Sequence, residues 1–269
     1  MNKKKFIYDS SEQIERPSMF QHGHVIIKDS ETHETLYESD NKVTVAGSAF
    51  TAAKHWNIKP AVLTPTYNEV LGLENSYKEP FDGDGIRKDE SIFLFCVGVG
   101  GAGEQASQVY DVDPTKWIQP EELVPFRYQL NTNDIPTYLK DKYHGRKVIG
   151  DRIAYYFKSF ESEPVFKQQY VDGVPIDENI YTTNRKEEVE SYVEILLQIT
   201  KEDCRDFYSA TTGINDAKIN TISLCTAWKK EVDGKICYQD IRPLTKYNFP
   251  TELLIDTTKG IDIIYHIYY

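Results

Sequence analysis

The sequence predicts a mainly β protein with an antiparallel β-sandwich core, a few short helices and long irregular loops. Three observations predict it. The stretch Thr221 to Tyr269 is dominated by Val, Ile, Tyr, Phe, Trp and Thr, side chains that suit a pleated, half-buried surface. Asp233-Gly234 stands between two such runs and can take the positive φ angles that a type I′ hairpin turn demands. The closing run alternates Ile261, Ile263, Tyr265, Ile267 and Tyr269 with Asp262, Ile264, His266 and Tyr268, which is period two with one face wholly apolar. That last strand is expected to dock inside a sheet.

In chain order, residues 1–20 are polar, contain Pro17 and read as an N-terminal arm, and 21–269 form the β-rich body. Two β-rich runs flank the polar stretch Asp29 to His33, which predicts a hairpin. Ser48 is then a suitable N-cap for a short helix from Ala49 to Trp56. Residues 59–90 are broken by Pro60, Pro65, Gly72, Pro80, Gly83 and Gly85 and predict an irregular, insertion-like connection with a short helix near Tyr67 to Leu71. Ser91 to Val99 is almost continuously apolar, as a strand buried on both faces would be. ELVPFRYQL predicts a strand broken at Pro125, and Asn133 to Tyr143 a short helix with Pro136 in its first turn. Arg152 to Phe160 predicts a strand, Asp172-Gly173 a turn followed by polar loops, and residues 189–199 a strand presenting Val193, Ile195, Leu197 and Ile199 on one face. Thr200 and Asp203 have capping-box spacing for a helix over Cys204 to Tyr208. The hairpin 221–242 and the strand 261–268 complete the set.

At 269 residues, with 40% hydrophobic and 27% charged residues, the chain is long enough to bury a sizeable core. Its net charge of −11 repels phosphate backbones and argues against nucleic acid as a partner. No apolar run is long enough for a membrane span, and the start lacks the apolar segment of a signal peptide, so the chain is expected to stay where it is made. The 19 tyrosines favour a protein that assembles with others, because tyrosine combines a large apolar ring with a hydrogen-bonding tip.

Candidate chemistry is sparse. Gly98-Val99-Gly100-Gly101-Ala102-Gly103 follows a strand as a dinucleotide loop does, but the residues after it lack a helical pattern, which leaves a tight glycine loop for close backbone packing. Asp82-Gly83-Asp84-Gly85 lacks the Gly and Glu that a calcium loop needs at later positions. His22 and His24, two apart on a strand, could share a metal, though no further ligand is singled out. The four cysteines show no C-x-x-C spacing. With Asp233-Gly234 as the turn, Cys237 opposes Lys230 and Cys225 lies near Arg242, too far apart for a disulfide. No catalytic, cofactor-binding or metal residue is assigned, and nothing in the sequence asks for an enzyme.

Two separated stretches resemble virion structural proteins of tailed bacteriophages. One is HVIIKDSETHETLYESDNKVTVAGSAFTAAKHW with the later LFCVGVGGAGE, where Asn41, Val43 and Gly47, then Gly98 and Gly100, fall at the positions of that pattern. The other is the ending LTKYNFPTELLIDTTKGIDIIYHIYY, with Phe249, Pro250 and Lys259. The resemblance implies a structural subunit of the tail, baseplate or neck, or a fibre adaptor, assembled in the host cytoplasm with other virion proteins in a symmetric oligomer. A β-sandwich carbohydrate-binding or hydrolytic module acting on the host surface is the alternative.

Overall fold

The computed structural model describes residues 23–56, 66–74, 89–101, 109, 122–170, 172–176, 189–210, 219–232, 235–250 and 259–269. The arm 1–20, most of the connection 59–90 and the Asp233-Gly234 pair lie outside these. The strands are β1 (Gly23–Asp29), β2 (Thr35–Val43), β3 (Ser91–Gly98), β4 (Leu123–Val124), β5 (Arg127–Leu130), β6 (Tyr143–Ile149), β7 (Arg152–Ser159), β8 (Val165–Tyr170), β9 (Val189–Ile199), β10 (Thr221–Val232), β11 (Lys235–Pro243), β12 (Thr245–Asn248) and β13 (Ile261–Tyr268). The helices are α1 (Val45–Trp56), α2 (Tyr67–Leu71) and α3 (Lys201–Ala210).

The protein is mainly β and the strand pairings are antiparallel, as the sequence predicts. The strands form one curled, half-barrel sheet. One half runs β2-β1-β13-β9-β8, and the other is β6-β7-β3-β10-β11, with β5 beside β7 and β4 against β3. Where a sandwich would break the ladder, β12 continues it. Its Thr245 and Lys246 pair with Val43 and Lys42 of β2, and its Tyr247 and Asn248 pair with Ile222 and Thr221 of β10.

Curling places one face of each half against the other. Ile27, Leu197 and Ile263 of the first half share a buried core with Phe95, Val97 and Leu224 of the second. On the far side of the second half, Leu94, Cys96 and Phe157 pack with Tyr67 and Leu71 of α2 in a second core. Strand β3 therefore has both faces covered, which is why its sequence is apolar without alternation.

Local chemistry explains most boundaries. Asp29 Oδ1 accepts from the N–H groups of Glu31 and Thr32 at 2.8 and 2.9 Å and closes the expected β1–β2 hairpin. Helix α1 starts one turn before the expected Ala49. Thr44, not Ser48, caps it, accepting from Gly47 N–H at 3.0 Å. A Cβ at Gly47 would sit 2.1 Å from the Leu244 carbonyl oxygen, so only glycine lets the helix approach the junction of β11 and β12 this closely. Helix α2 lies where predicted, with a Thr66–Glu69 capping box and Gly72 left-handed at its end. Helix α3 opens on the expected box, Thr200 N–H donating to Asp203 Oδ2 at 2.9 Å and Asp203 N–H to Thr200 Oγ1 at 3.2 Å, but it starts at Lys201.

The expected helix over 133–143 is absent. Two single 3₁₀ turns, Asn131–Asn133 and Thr137–Leu139, stand there instead, and β6 begins at Tyr143. In the 221–242 hairpin Lys230 opposes Cys237 as expected. A bulge at Asp240, whose φ is 53°, then moves the register by one, so Cys225 opposes Pro243 rather than Arg242.

Candidate functional site

The histidine considered for metal binding is held otherwise. On the outer face of the first half, His24 Nδ1 lies 2.9 Å from Asp40 Oδ1 and its Nε2 2.8 Å from Glu38 Oε1. Two carboxylate acceptors on both ring nitrogens select the imidazolium, which has no lone pair for a metal. His22 lies outside the described residues, and among those described no group of three or more His, Cys, Asp or Glu is arranged to hold a metal ion. Next along the same row, the His266 ring centre is 6.5 Å from that of His24. His266 Nε2 is 3.1 Å from Glu194, which also accepts from Lys167 at 2.7 Å.

These neighbours set opposite titrations. Burial pulls His24 down, but the hydrogen bonds to Asp40 and Glu38 outweigh it and its pKa is raised. Burial holds His266 below the ordinary histidine value, helped by the charges of His24 and Lys167 against the pull of Glu194. A raised folded pKa stabilises fully below the unfolded value of 6.5 and the contribution is lost as pH rises through the folded value. Replacing His24 by Gln is therefore expected to lower the melting temperature more at about pH 5.5 than at about pH 8.5. Melting curves of H24Q and parent across that range check the sign, and a gap that widens with pH would contradict it. His266 has the reverse sign, so the single variant is needed to separate the two.

The glycine loop after β3 is a packing device. A Cβ on Gly101 would stand 2.3 Å from the Asn220 carbonyl oxygen, and Gly101 N–H donates to Asn220 Oδ1 at 2.6 Å. Gly100 has φ 99°. Residues 102–108 lie outside the described set. The cysteines are free. Cys225 contacts Cys96, the sulfurs 3.6 Å apart in the second core, and lies away from Cys237.

Two places that the sequence did not single out carry the densest chemistry. The first is a groove of about 540 Å³ between the outer strands β6 and β11 of the second half. The edges approach closely enough for the His144 and Tyr238 rings to meet edge-on at 4.5 Å. Helix α2 bridges to β11 across the bulge, Asn68 Nδ2 donating to the Tyr238 carbonyl at 3.1 Å and Asn68 Oδ1 accepting from Ile241 N–H at 2.9 Å. Glu74, Asp134 and Asp141 line the groove. Glu74 is ion-paired with Arg146. Asp134 accepts from Tyr155 Oη at 2.7 Å and Lys140 Nζ at 3.3 Å. Burial favours its protonated form, yet those bonds and that of Ile135 N–H prevail and keep its pKa lowered. Burial also pushes His144 down to about 4, so that it is neutral near pH 7. The groove thus offers aromatic walls, a neutral His144 and an Asp134 carboxyl held below its ordinary pKa.

The second is a closed polar cluster where α3 meets the second half. Lys158 of β7 and Asp203 of α3 have side chains 2% and 0% exposed, with Nζ 2.8 Å from Oδ2. Lys158 also donates to the Gln198 carbonyl at 2.8 Å. Tyr143 Oη donates to Asp203 Oδ1 at 2.7 Å. Burial, then the Asp203 charge, raises the Tyr143 pKa and keeps its proton in place. Arg127 donates to Asp206 at 2.8 Å beside this cluster, its guanidinium over the Tyr143 ring. The one sequence signal was the capping-box Asp203, since nothing in RIAYYFKS, a strand buried on both faces, marks its lysine as paired.

No described helix is long and apolar enough to cross a membrane. Comparison of the chain with family models, with curated proteins and with solved structures returns no match.

Proposed function

We propose that the chain is a structural subunit of a tailed-bacteriophage virion, placed in the tail, baseplate or neck and acting through protein–protein contacts. In this reading the two halves of the curled sheet serve as the two layers of a sandwich-like core, and the subunit assembles in the host cytoplasm with copies of itself or with other virion proteins. The observation that carries it is the end of the sheet at β8. Residues 174–176 cover the second half of that strand, with Ile176 N–H donating to the Gln168 carbonyl at 3.1 Å. Its first half carries Val165 and Phe166 at 50% and 61% exposure. An apolar sheet edge is an aggregation liability in a free monomer and an ordinary interface in an assembly. The hydrolytic alternative has less support, because the Asp134 carboxyl in the groove is held below its ordinary pKa by its hydrogen-bond partners, whereas a glycosidase needs one carboxyl that keeps its proton.

Two measurements test this. Protein mass spectrometry of purified virions from a phage encoding the chain is expected to find it at a fixed stoichiometry, and its absence would sink the proposal. Sedimentation of the purified chain is expected to show self-association or binding to a second virion protein. Phe166→Glu should leave the melting temperature near the parent's and weaken that association about tenfold or more, the scale of one exposed aromatic side chain becoming buried. Unchanged association in F166E would remove the β8 edge from the interface.

A further inference from the structure

We propose that Lys158 and Asp203 become joined by an intramolecular isopeptide bond once the chain has folded. The reacting groups are already in contact, Nζ 2.8 Å from Oδ2, and both side chains are shut away from solvent. Position alone makes such a step effectively unimolecular, a large advantage for an amide condensation. The surroundings are aromatic, with the Phe126 and Tyr143 ring centres 6.0 and 5.3 Å from Nζ. Side chains 2% and 0% exposed are cut off from bulk solvent, which penalises charge. The pair sheds both charges at once by passing one proton along the short contact, from the ammonium to the carboxylate.

The resulting amine attacks Cγ of Asp203. Tyr143 Oη, 2.7 Å from Oδ1, donates to the oxygen on which negative charge develops, as an oxyanion-hole donor does. Collapse expels Oδ2 as water carrying two protons, and the new amide nitrogen keeps one hydrogen, which still faces the Gln198 carbonyl oxygen that Nζ now donates to at 2.8 Å. Nothing is oxidised or reduced, and ammonium plus carboxylate give amide plus water with no further reactant. The bond would tie β7 of the second half to the start of α3, which follows directly on β9 of the first, and so cross-link the two halves through side chains. This inference does not depend on the virion reading.

Intact-mass spectrometry of the full chain, purified folded and then denatured, is expected to give the sequence mass less one water. Trypsin should then fail to cut after Lys158 and release a branched peptide in which residues 153–167 are joined to residues 202–205. Tyr143→Phe, which keeps the ring and removes the donor, should lower the joined fraction. The full sequence mass together with separate linear peptides 153–158 and 202–205 from the parent protein overturns the proposal, and that result needs no variant to fold. An equal joined fraction in Y143F would overturn the role given to Tyr143.

Discussion

Deleting residues 261–269 is expected to leave no cooperatively folded protein. Strand β13 lies between β1 and β9 and pairs with both along its length, Gly23 to Asp29 on one side and Tyr192 to Ile199 on the other. Its inward residues Ile261, Ile263, Tyr265 and Ile267 are 3%, 0%, 0% and 3% exposed. Burying each contributes about 1.5–3 kcal/mol, which for four is on the order of 6–12 kcal/mol, an upper figure because unfolded chains already hide some surface. That matches the roughly 5–15 kcal/mol by which a whole domain is stable. Polar anchoring is lost as well, since Tyr265 Oη donates to Thr245 Oγ1 of β12 at 2.7 Å and accepts from Asn41 of β2. Soluble yield and thermal unfolding followed by circular dichroism check this. A truncated chain melting cooperatively at the parent temperature would show β13 to be peripheral.

Asp203→Ala is expected to be the most damaging single substitution at any polar residue described above. It strips Lys158, Tyr143 Oη and Thr200 N–H of their shared acceptor inside a closed site. A buried charge left without its partner costs about 3–5 kcal/mol, and the loss of the α3 cap adds about 1 kcal/mol. The contrast is Lys167→Met, which breaks an ion pair to Glu194 whose side chains are 40% and 30% exposed and should change stability by less than about 1 kcal/mol. Urea denaturation of the two variants beside the parent measures both. Equal effects would mean that burial does not govern the Lys158–Asp203 contact.

What could be seen in the sequence follows from how each strand is covered. Strands β9 and β13 were legible because one face of each meets the core and the alternation is clean, and β3 and β10 from apolar or β-branched runs that are covered on both faces. Strands β6, β8 and β12 left no such trace. YHGRKVI of β6 borders the polar groove and VFKQQY of β8 ends the sheet, so neither has one consistently buried face. TKYN of β12 is short, and its role depends on partners far away in the chain. The same distance hid the buried cluster. Lys158 sits in a strand where a lysine ordinarily points to solvent, and its carboxylate lies beyond β8 and β9, so only the fold brings them together. The groove was hidden for a like reason, because Asn68, His144 and Tyr238 come from three separate segments. The terminal Tyr269, expected on the buried face, is 46% exposed, since it stands just past the end of β13.

The position of β13 bears on how the chain is made. The β1–β2 hairpin leaves the ribosome first among the described strands, yet the partner on the other side of β1 is translated last of them. Val25 and Ile27, fully buried in the finished protein, have no strand to face until nearly all the intervening chain has emerged. Synthesis therefore cannot complete the first half stepwise, and the nascent chain carries an open apolar edge that needs protection from neighbouring chains. Closure falls to a non-local step that waits for β13, and non-local pairing is slow in β proteins.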